Sequence, residues 1–133
     1  MVVARQLGAT WVSITPFGRV WDLSGGGVDP CFEAPFEQNR RDVLTAIAHA
    51  HAEGLQVLLV PHLWVETGGW RALMDPGSDE GWERWTQSYA AFVLQWADVA
   101  EQAGAEMFSV GVELRSWVTS CLLYTSPSPR DLR

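Results

Sequence analysis

The sequence contains no lysine: all nine of its Lys/Arg positions are arginine, set against sixteen acidic residues for a formal net charge of −7. An acidic chain without a basic stripe is a poor fit to nucleic acid, so no nucleic-acid partner is expected. The missing lysine reads as a compositional bias of the genome rather than as a functional feature. Cysteine is scarce. Cys31 and Cys121 have no paired spacing, which excludes a disulfide framework or a zinc site built on cysteines. No apolar run approaches the ~18 residues of a membrane span, so no membrane partner is expected either. The N-terminus lacks the basic-then-apolar layout of a signal peptide, but this says nothing about secretion if Met1 is an internal start. No phosphate-binding glycine loop follows a strand: Gly25-Gly26-Gly27 lies inside a long loop and opens no immediate helix. His49 and His51 form a His-x-His pair, a metal motif when it sits on a strand. Here the pair falls in a helix, where positions i and i+2 point apart, so no metal is expected there.

What is present is a globular composition, 47% hydrophobic and 19% charged over 133 residues. That length suits one small domain, or about half of a (β/α)-barrel of ~250 residues. Tryptophan is over-used, at eight residues. Indole rings offer flat apolar faces on which the C–H faces of sugars stack, and burial in the core is the competing use.

Along the chain, Val2–Gly8 reads as the tail of a helix closed by Gly8. Ala9–Pro16 reads as a strand stopped by Pro16, followed by a long loop, Phe17–Pro35, carrying Arg19, Trp21 and Asp22. Glu37–Glu53 has a helical stripe of Val43, Leu44, Ile47, Ala48 and Ala50. Leu55–His62 is the next strand, apolar from Val57 to Val60 as a doubly covered parallel strand should be. A second long loop, Leu63–Gly77, carries Trp64, Glu66 and Trp70. Ser78 or Asp79 caps a helix to about Gln102, with Trp82, Trp85, Tyr89, Phe92, Val93, Trp96, Val99 and Ala100 on its buried side. The run Ala105–Leu114 reads as a third strand with Glu113 near its C-terminal tip. Alternating helices and apolar strands predict a parallel sheet with helical crossovers, whose ligands bind at the carboxyl ends of the strands.

Side chains alternate along a strand. The mixed face of each strand leads to a polar residue near its end: Thr15, His62 and Glu113. These three are the candidate site, with Trp64 and Trp70 above it as candidate sugar-stacking rings. A hydrogen-bonded structural role for His62 and core packing for the two tryptophans stand as alternatives. Glu66 is a candidate sugar partner or a solvated side chain. For Glu113 the alternative is a strand-end carboxylate paired with Arg115 or another arginine.

At this point the residues carry a resemblance. Leu7-Gly8-Ala9-Thr10-Trp11-Val12-Ser13-Ile14-Thr15-Pro16-Phe17 resembles the second-strand segment of glycoside hydrolase family 113. That family comprises TIM-barrel β-mannanases and related enzymes of the large retaining clan A. Pro61-His62-Leu63-Trp64 is similar to its third-strand motif, usually Lys-Pro-His, an apolar residue and often Trp. Phe108-Ser109-Val110-Gly111-Val112-Glu113-Leu114 resembles the fourth-strand motif, usually Gly-Thr-Glu-Leu. The interval around Trp82, Trp85 and Tyr89 also fits, so the match covers roughly residues 3–117. Val60 stands where the family usually has Lys, and Val112 where it usually has Thr. The first change removes a polar group near the site and bears on substrate preference.

The resemblance implies a fragment of a (β/α)₈ TIM barrel, about strands 2 to 4 with their helices. It implies Glu113 as general acid/base and a nucleophile on a later strand, absent from this chain. The implied parent cleaves β-linked polysaccharide or oligosaccharide, with mannan the first expectation, and its mechanism needs no metal or organic cofactor. By itself the fragment is expected to be inactive. The rivals are a non-catalytic carbohydrate-binding or degenerate barrel, and a metal-dependent barrel hydrolase.

The last residues break the pattern. Cys121–Arg133 has neither helical nor strand period and contains two prolines, Pro127 and Pro129. Cys121 through Asp131 resembles the conceptual translation of a transposase-type sequencing-library adapter, and such scars stand outside fold reasoning. The expected organisation is a partial barrel over 1–120 followed by a non-native tail over 121–133. Deleting that tail should leave solubility and secondary-structure content unchanged. A marked loss of either on truncation after Ser120 would place the tail in the fold.

Overall fold

Five parallel-pairing strands and four helices follow one another over residues 1–120, the part of the chain that the structure, a computed structural model, describes. The expected foreign tail, 121–133, lies outside the described residues. The order is α1 (Val2–Gln6), β1 (Trp11–Ile14), β2 (Phe17–Val20), α2 (Phe36–Ala52), β3 (Gln56–Leu59) and β4 (His62–Val65). A 3₁₀ turn (Arg71–Leu73), α3 (Asp79–Ala103), β5 (Met107–Phe108) and α4 (Arg115–Ser120) complete it. One sheet has the order β1-β3-β5 and the other pairs β2 with β4. Every strand pairing is parallel, and helices fill the connections, as the alternation predicts.

The two sheets are one ladder with a gap. Ile14 faces Leu59 before the break and Phe17 faces His62 after it, in the same register. The Val60 N–H donates to Ile14 O at 2.9 Å and the His62 N–H to Pro16 O at 2.9 Å, so pairing crosses the break. Pro16 therefore does not stop the strand. It has no N–H to donate, but its carbonyl still accepts, and the chain resumes its extended course at Phe17. The loops expected to begin at Phe17 and Leu63 begin instead beyond Val20 and Val65. The third strand departs from expectation in the other direction. It is regular only over Met107–Phe108, the Ser109 N–H makes a last bond to Leu59 O at 2.9 Å, and Val110 is exposed. At this sheet edge no strand among the described residues pairs with Val110–Leu114.

The helices form where their stripes and caps are written. The Ser78 side chain accepts the Gly81 N–H at the start of α3, and Gly104, at φ 69°, closes it in the left-handed region that favours glycine. Between them Trp82, Trp85, Tyr89, Phe92, Trp96, Val99 and Ala100 are buried. Trp85 stacks on Tyr89 with ring centroids 5.0 Å apart, and Phe36 of α2 meets Trp96 edge-on at 5.2 Å. On α2 the buried stripe is Val43, Ile47 and Ala50. These residues cover Val57, Leu59, Leu63 and Val65, and fully burying one such aliphatic side chain contributes about 1.5–3 kcal/mol. The Glu106 carboxylate caps the Val57 N–H at 2.6 Å and pairs with His51 at 3.0 Å. Above all the Val57 bond, with further help from His51, holds this carboxyl below its ordinary range against the opposing effect of burial.

The opposite face of the sheet is uncovered. Trp11, Ser13 and Gln56 are exposed there, and Met107 and Val110 are exposed on β5 and just past it. Open strand edges and apolar surface promote association. The 133-residue chain alone should therefore self-associate, giving high-mass species by light scattering and a broad, non-cooperative melt. A monodisperse monomer with one sharp thermal transition would contradict this.

Candidate active site

Strand register places the first residues of the site. His62 opens β4 opposite Phe17 of β2, with ring centroids 5.7 Å apart. Two residues on, and so on the same face, Trp64 lies edge-on to Phe17 at 6.4 Å and beside Phe32 at 6.2 Å. Trp64 is half exposed, at 50%. Arg19, opposite Trp64 in the ladder, sits 5.6 Å over the Phe32 ring and pairs with Glu66 at 3.2 Å. The result is an aromatic ledge of Phe17, Phe32 and Trp64, buttressed by an ion pair, at the carboxyl ends of the strands.

Glu113 approaches from the chain that follows β5. Its backbone has φ 56°, a left-handed conformation that is strained for a non-glycine residue and that clusters at functional sites. Neighbouring contacts hold it there. The Tyr89 hydroxyl donates to Val110 O at 2.9 Å, the Ser109 hydroxyl to Gly111 O at 3.1 Å, and Leu114 is buried. Burial pushes the Tyr89 phenol up to about 12, with Arg71 opposing, so this hydroxyl stays a donor throughout the working pH range. The Glu113 carboxylate is half exposed and pairs with the Arg71 guanidinium at 2.6 Å. Trp70 Nε1–H reaches the same Oε2 at 3.4 Å, a long contact. The second guanidinium contact is Arg71 Nη2 donating to His62 Nδ1 at 3.0 Å. That bond requires a lone pair on Nδ1, hence a neutral ring in the tautomer protonated at Nε2. Desolvation, and then the Arg71 charge, push His62 below its ordinary value, while Glu113 pulls the other way.

The structure thus joins Glu113 and His62 through Arg71 and sets Trp70 beside them. Trp64 is not on a loop but in β4, because the strand continues past Pro61. Thr15 sits at the break between β1 and β2, lining a cleft with Phe17, Phe32, Asn39 and Asp42. Glu66, expected as a sugar partner or a solvated side chain, is bonded to Arg19. His51 is engaged with Glu106, and no group of three or more His, Cys, Asp or Glu among the described residues could hold a metal ion. The tryptophans divide by location. Trp82, Trp85 and Trp96 are core, while Trp21 and Trp70 are exposed beyond the strand ends and Trp64 is exposed within β4.

A model of Glycoside Hydrolase Family 113 matches residues 2–120. The chain belongs to this family. A β-mannanase of family 113 from Alicyclobacillus acidocaldarius, in complex with ManMIm, is similar in structure with a TM-score of 0.78 and 26% identity, over 92% of this chain and 41% of that one. A family 113 β-1,4-mannanase in a complex structure gives 0.76 and 23%, over 89% and 39%. Another β-1,4-mannanase structure of the family gives 0.75 and 24%, over 86% and 38%. The chain spans about two fifths of the length of these structures. No curated protein matches it. The fold is accordingly part of the family 113 TIM barrel.

Arg71, Arg19 and Phe32 were not among the family 113 site residues expected from the sequence. Arg19 could have been found from its alternation with Phe17 had the strand been followed through Pro16. Arg71 carries no periodic signal, since it lies in a turn between two glycines, Gly68 and Gly69, and Pro76.

The lowered proton affinity of His62 fixes the sign of a pH effect. Protonation is disfavoured in the folded state, so this residue's stabilising contribution is full above the ordinary value of 6.5 and is lost as pH falls through the lower folded value. In the folded protein the His62 ring resonances should titrate with a midpoint below 6.5. A midpoint at or above it would contradict the desolvated placement of His62 beside Arg71.

Proposed function

We propose that the protein carrying this segment in a whole barrel is a retaining glycoside hydrolase acting on β-linked mannan-type polysaccharide or oligosaccharide, with Glu113 as its general acid/base. The observation that carries the reading is the placement of Glu113. It is a half-exposed carboxylate on strained backbone at the carboxyl ends of the strands, beside exposed Trp70 and close to His62 through Arg71. Membership of family 113 and the likeness to proteins named as β-mannanases support the substrate class.

The chemistry has two stages. Glu113 donates its proton to the glycosidic oxygen as the C–O bond breaks, and a carboxylate from a later strand captures the anomeric carbon. Glu113, now a carboxylate, takes a proton from water as that water displaces the enzyme ester. This requires the two carboxyl groups to stand ~5–5.5 Å apart. Trp64 and Trp70 present ring faces on which sugar C–H faces stack, His62 offers a ring nitrogen to a sugar hydroxyl, and Thr15 lies at the adjoining cleft.

In the whole-barrel protein, Glu113→Gln should cut turnover of mannooligosaccharides by ~10²–10⁴-fold, the usual worth of a positioned acid/base. Aryl mannosides with strongly acidic leaving groups need little protonation, so their glycosylation step should suffer far less. Added azide should restore turnover by replacing the base-activated water. Equal losses on both substrates with no azide effect would remove Glu113 from this role.

A further inference from the structure

We infer that Arg71 is a positioning residue for the reaction: its guanidinium fixes Glu113 and His62 relative to each other and acts through them rather than on the sugar. The inference rests on the acid/base reading of Glu113. Its basis is the way Arg71 is held. The residue opens the 3₁₀ turn Arg71–Leu73, and the flanking Ala72 and Met74 are each only 1% exposed, so the backbone of the turn is pinned into the core. Nη1 donates to the Leu63 carbonyl at 3.3 Å, which ties the guanidinium to β4. Nη2 is shared between His62 Nδ1 at 3.0 Å and Glu113 Oε2 at 2.6 Å. Nε is buried. Nη1 and Nη2 are thus turned toward protein groups while Nε has no hydrogen-bond partner among the described residues, and the side chain is only 20% accessible, against 48% for Glu113.

The arrangement answers a geometric need. Glu113 stands on irregular chain beyond a two-residue strand, with no ladder to fix its direction. Arg71 stands on a turn anchored in the core and bridges to β4, whose ladder with β2 fixes its course. A planar guanidinium reaches three acceptors in one rigid fork, which an ammonium on a flexible stem does not. Because Arg71 holds one carboxylate oxygen, Oε2, the other remains the one turned to a leaving group. The consequence is a division of labour: Glu113 moves the proton and Arg71 sets where it is delivered from.

The test uses the whole-barrel protein with two substrates, a β-1,4-mannooligosaccharide and a dinitrophenyl β-mannoside. For Arg71→Ala, kcat/KM on the mannooligosaccharide should fall by ~10²-fold, the loss that a misplacement of about 1 Å can bring. On the dinitrophenyl substrate it should stay within about threefold of the parent, because that step does not wait on protonation. Methylguanidine should restore part of the first loss. Arg71→Lys should show the same substrate-selective loss, since it keeps the charge without the fork. It decides the matter if Arg71→Ala does not fold. Adding Arg71→Ala to Glu113→Gln should cause little further loss, because both act through one group.

Equal losses on both substrates, without rescue, would overturn the inference and make Arg71 a sugar ligand or a strut of the fold. The two readings fail separately. If Glu113→Gln alone lacks leaving-group dependence, the acid/base reading fails and the inference with it. If Glu113→Gln shows that dependence and the Arg71 variants do not, only the inference falls.

Discussion

The backbone ladder between the first and second long strands is the constraint on which the rest of the structure depends. It runs from the Gln56 N–H bonded to Thr10 O at one end to the Thr67 N–H bonded to Trp21 O at the other, in one register across the interruption at Pro16. Side chains alternate with period two, so a slip of one residue would exchange the two faces. In the observed register Val57, Leu59, Leu63 and Val65 meet the helices, while Phe17, Arg19, His62 and Trp64 share the other face. The aromatic ledge and the histidine are thus by-products of the same register that builds the core.

Beyond the ladder the site relies on anchored irregular chain. The 3₁₀ turn brings Arg71 over His62, and the segment after β5 brings Glu113 to Arg71. Each is secured from beneath by apolar burial, through Ala72 and Met74 in one case and Leu114 in the other. Tyr89 links the two systems. Its ring stacks on Trp85 in the core and its hydroxyl fixes the Val110 carbonyl three residues before Glu113. Packing on α3 therefore bears on the position of the Glu113 carboxylate.

How much of this can be read from the residues follows from the range of each interaction. The helical stripe from Trp82 to Ala100, the Ser78 cap and the Gly104 stop are local patterns, and the helix they predict is the one observed within a residue or so. The alternation that singles out His62 and Glu113 is likewise local, and the structure joins the two through one guanidinium. Pro16 misleads because a proline forfeits a donor but keeps an acceptor, and only the partner strand shows that the acceptor is used. The left-handed backbone at Glu113 carries no composition signal. Arg71 acquires its position from a tertiary turn, and Thr15, at the strand break, lines the cleft beside Asn39 and Asp42. Non-local contacts decide all three.

The proposed retaining mechanism makes a demand that this segment would meet only by half. Glu113 supplies one carboxyl group from the irregular chain beyond β5, and the proposal places its partner on a later strand of the family 113 barrel. The most direct test is a crystal structure of the whole-barrel protein with a mannooligosaccharide bound. The account predicts a second carboxylate ~5–5.5 Å from that of Glu113, on the opposite side of the scissile bond, with a Glu113 oxygen within hydrogen-bond reach of the glycosidic oxygen. A Glu113 still sealed against protein groups away from the sugar, or no second carboxylate across the bond, would contradict it.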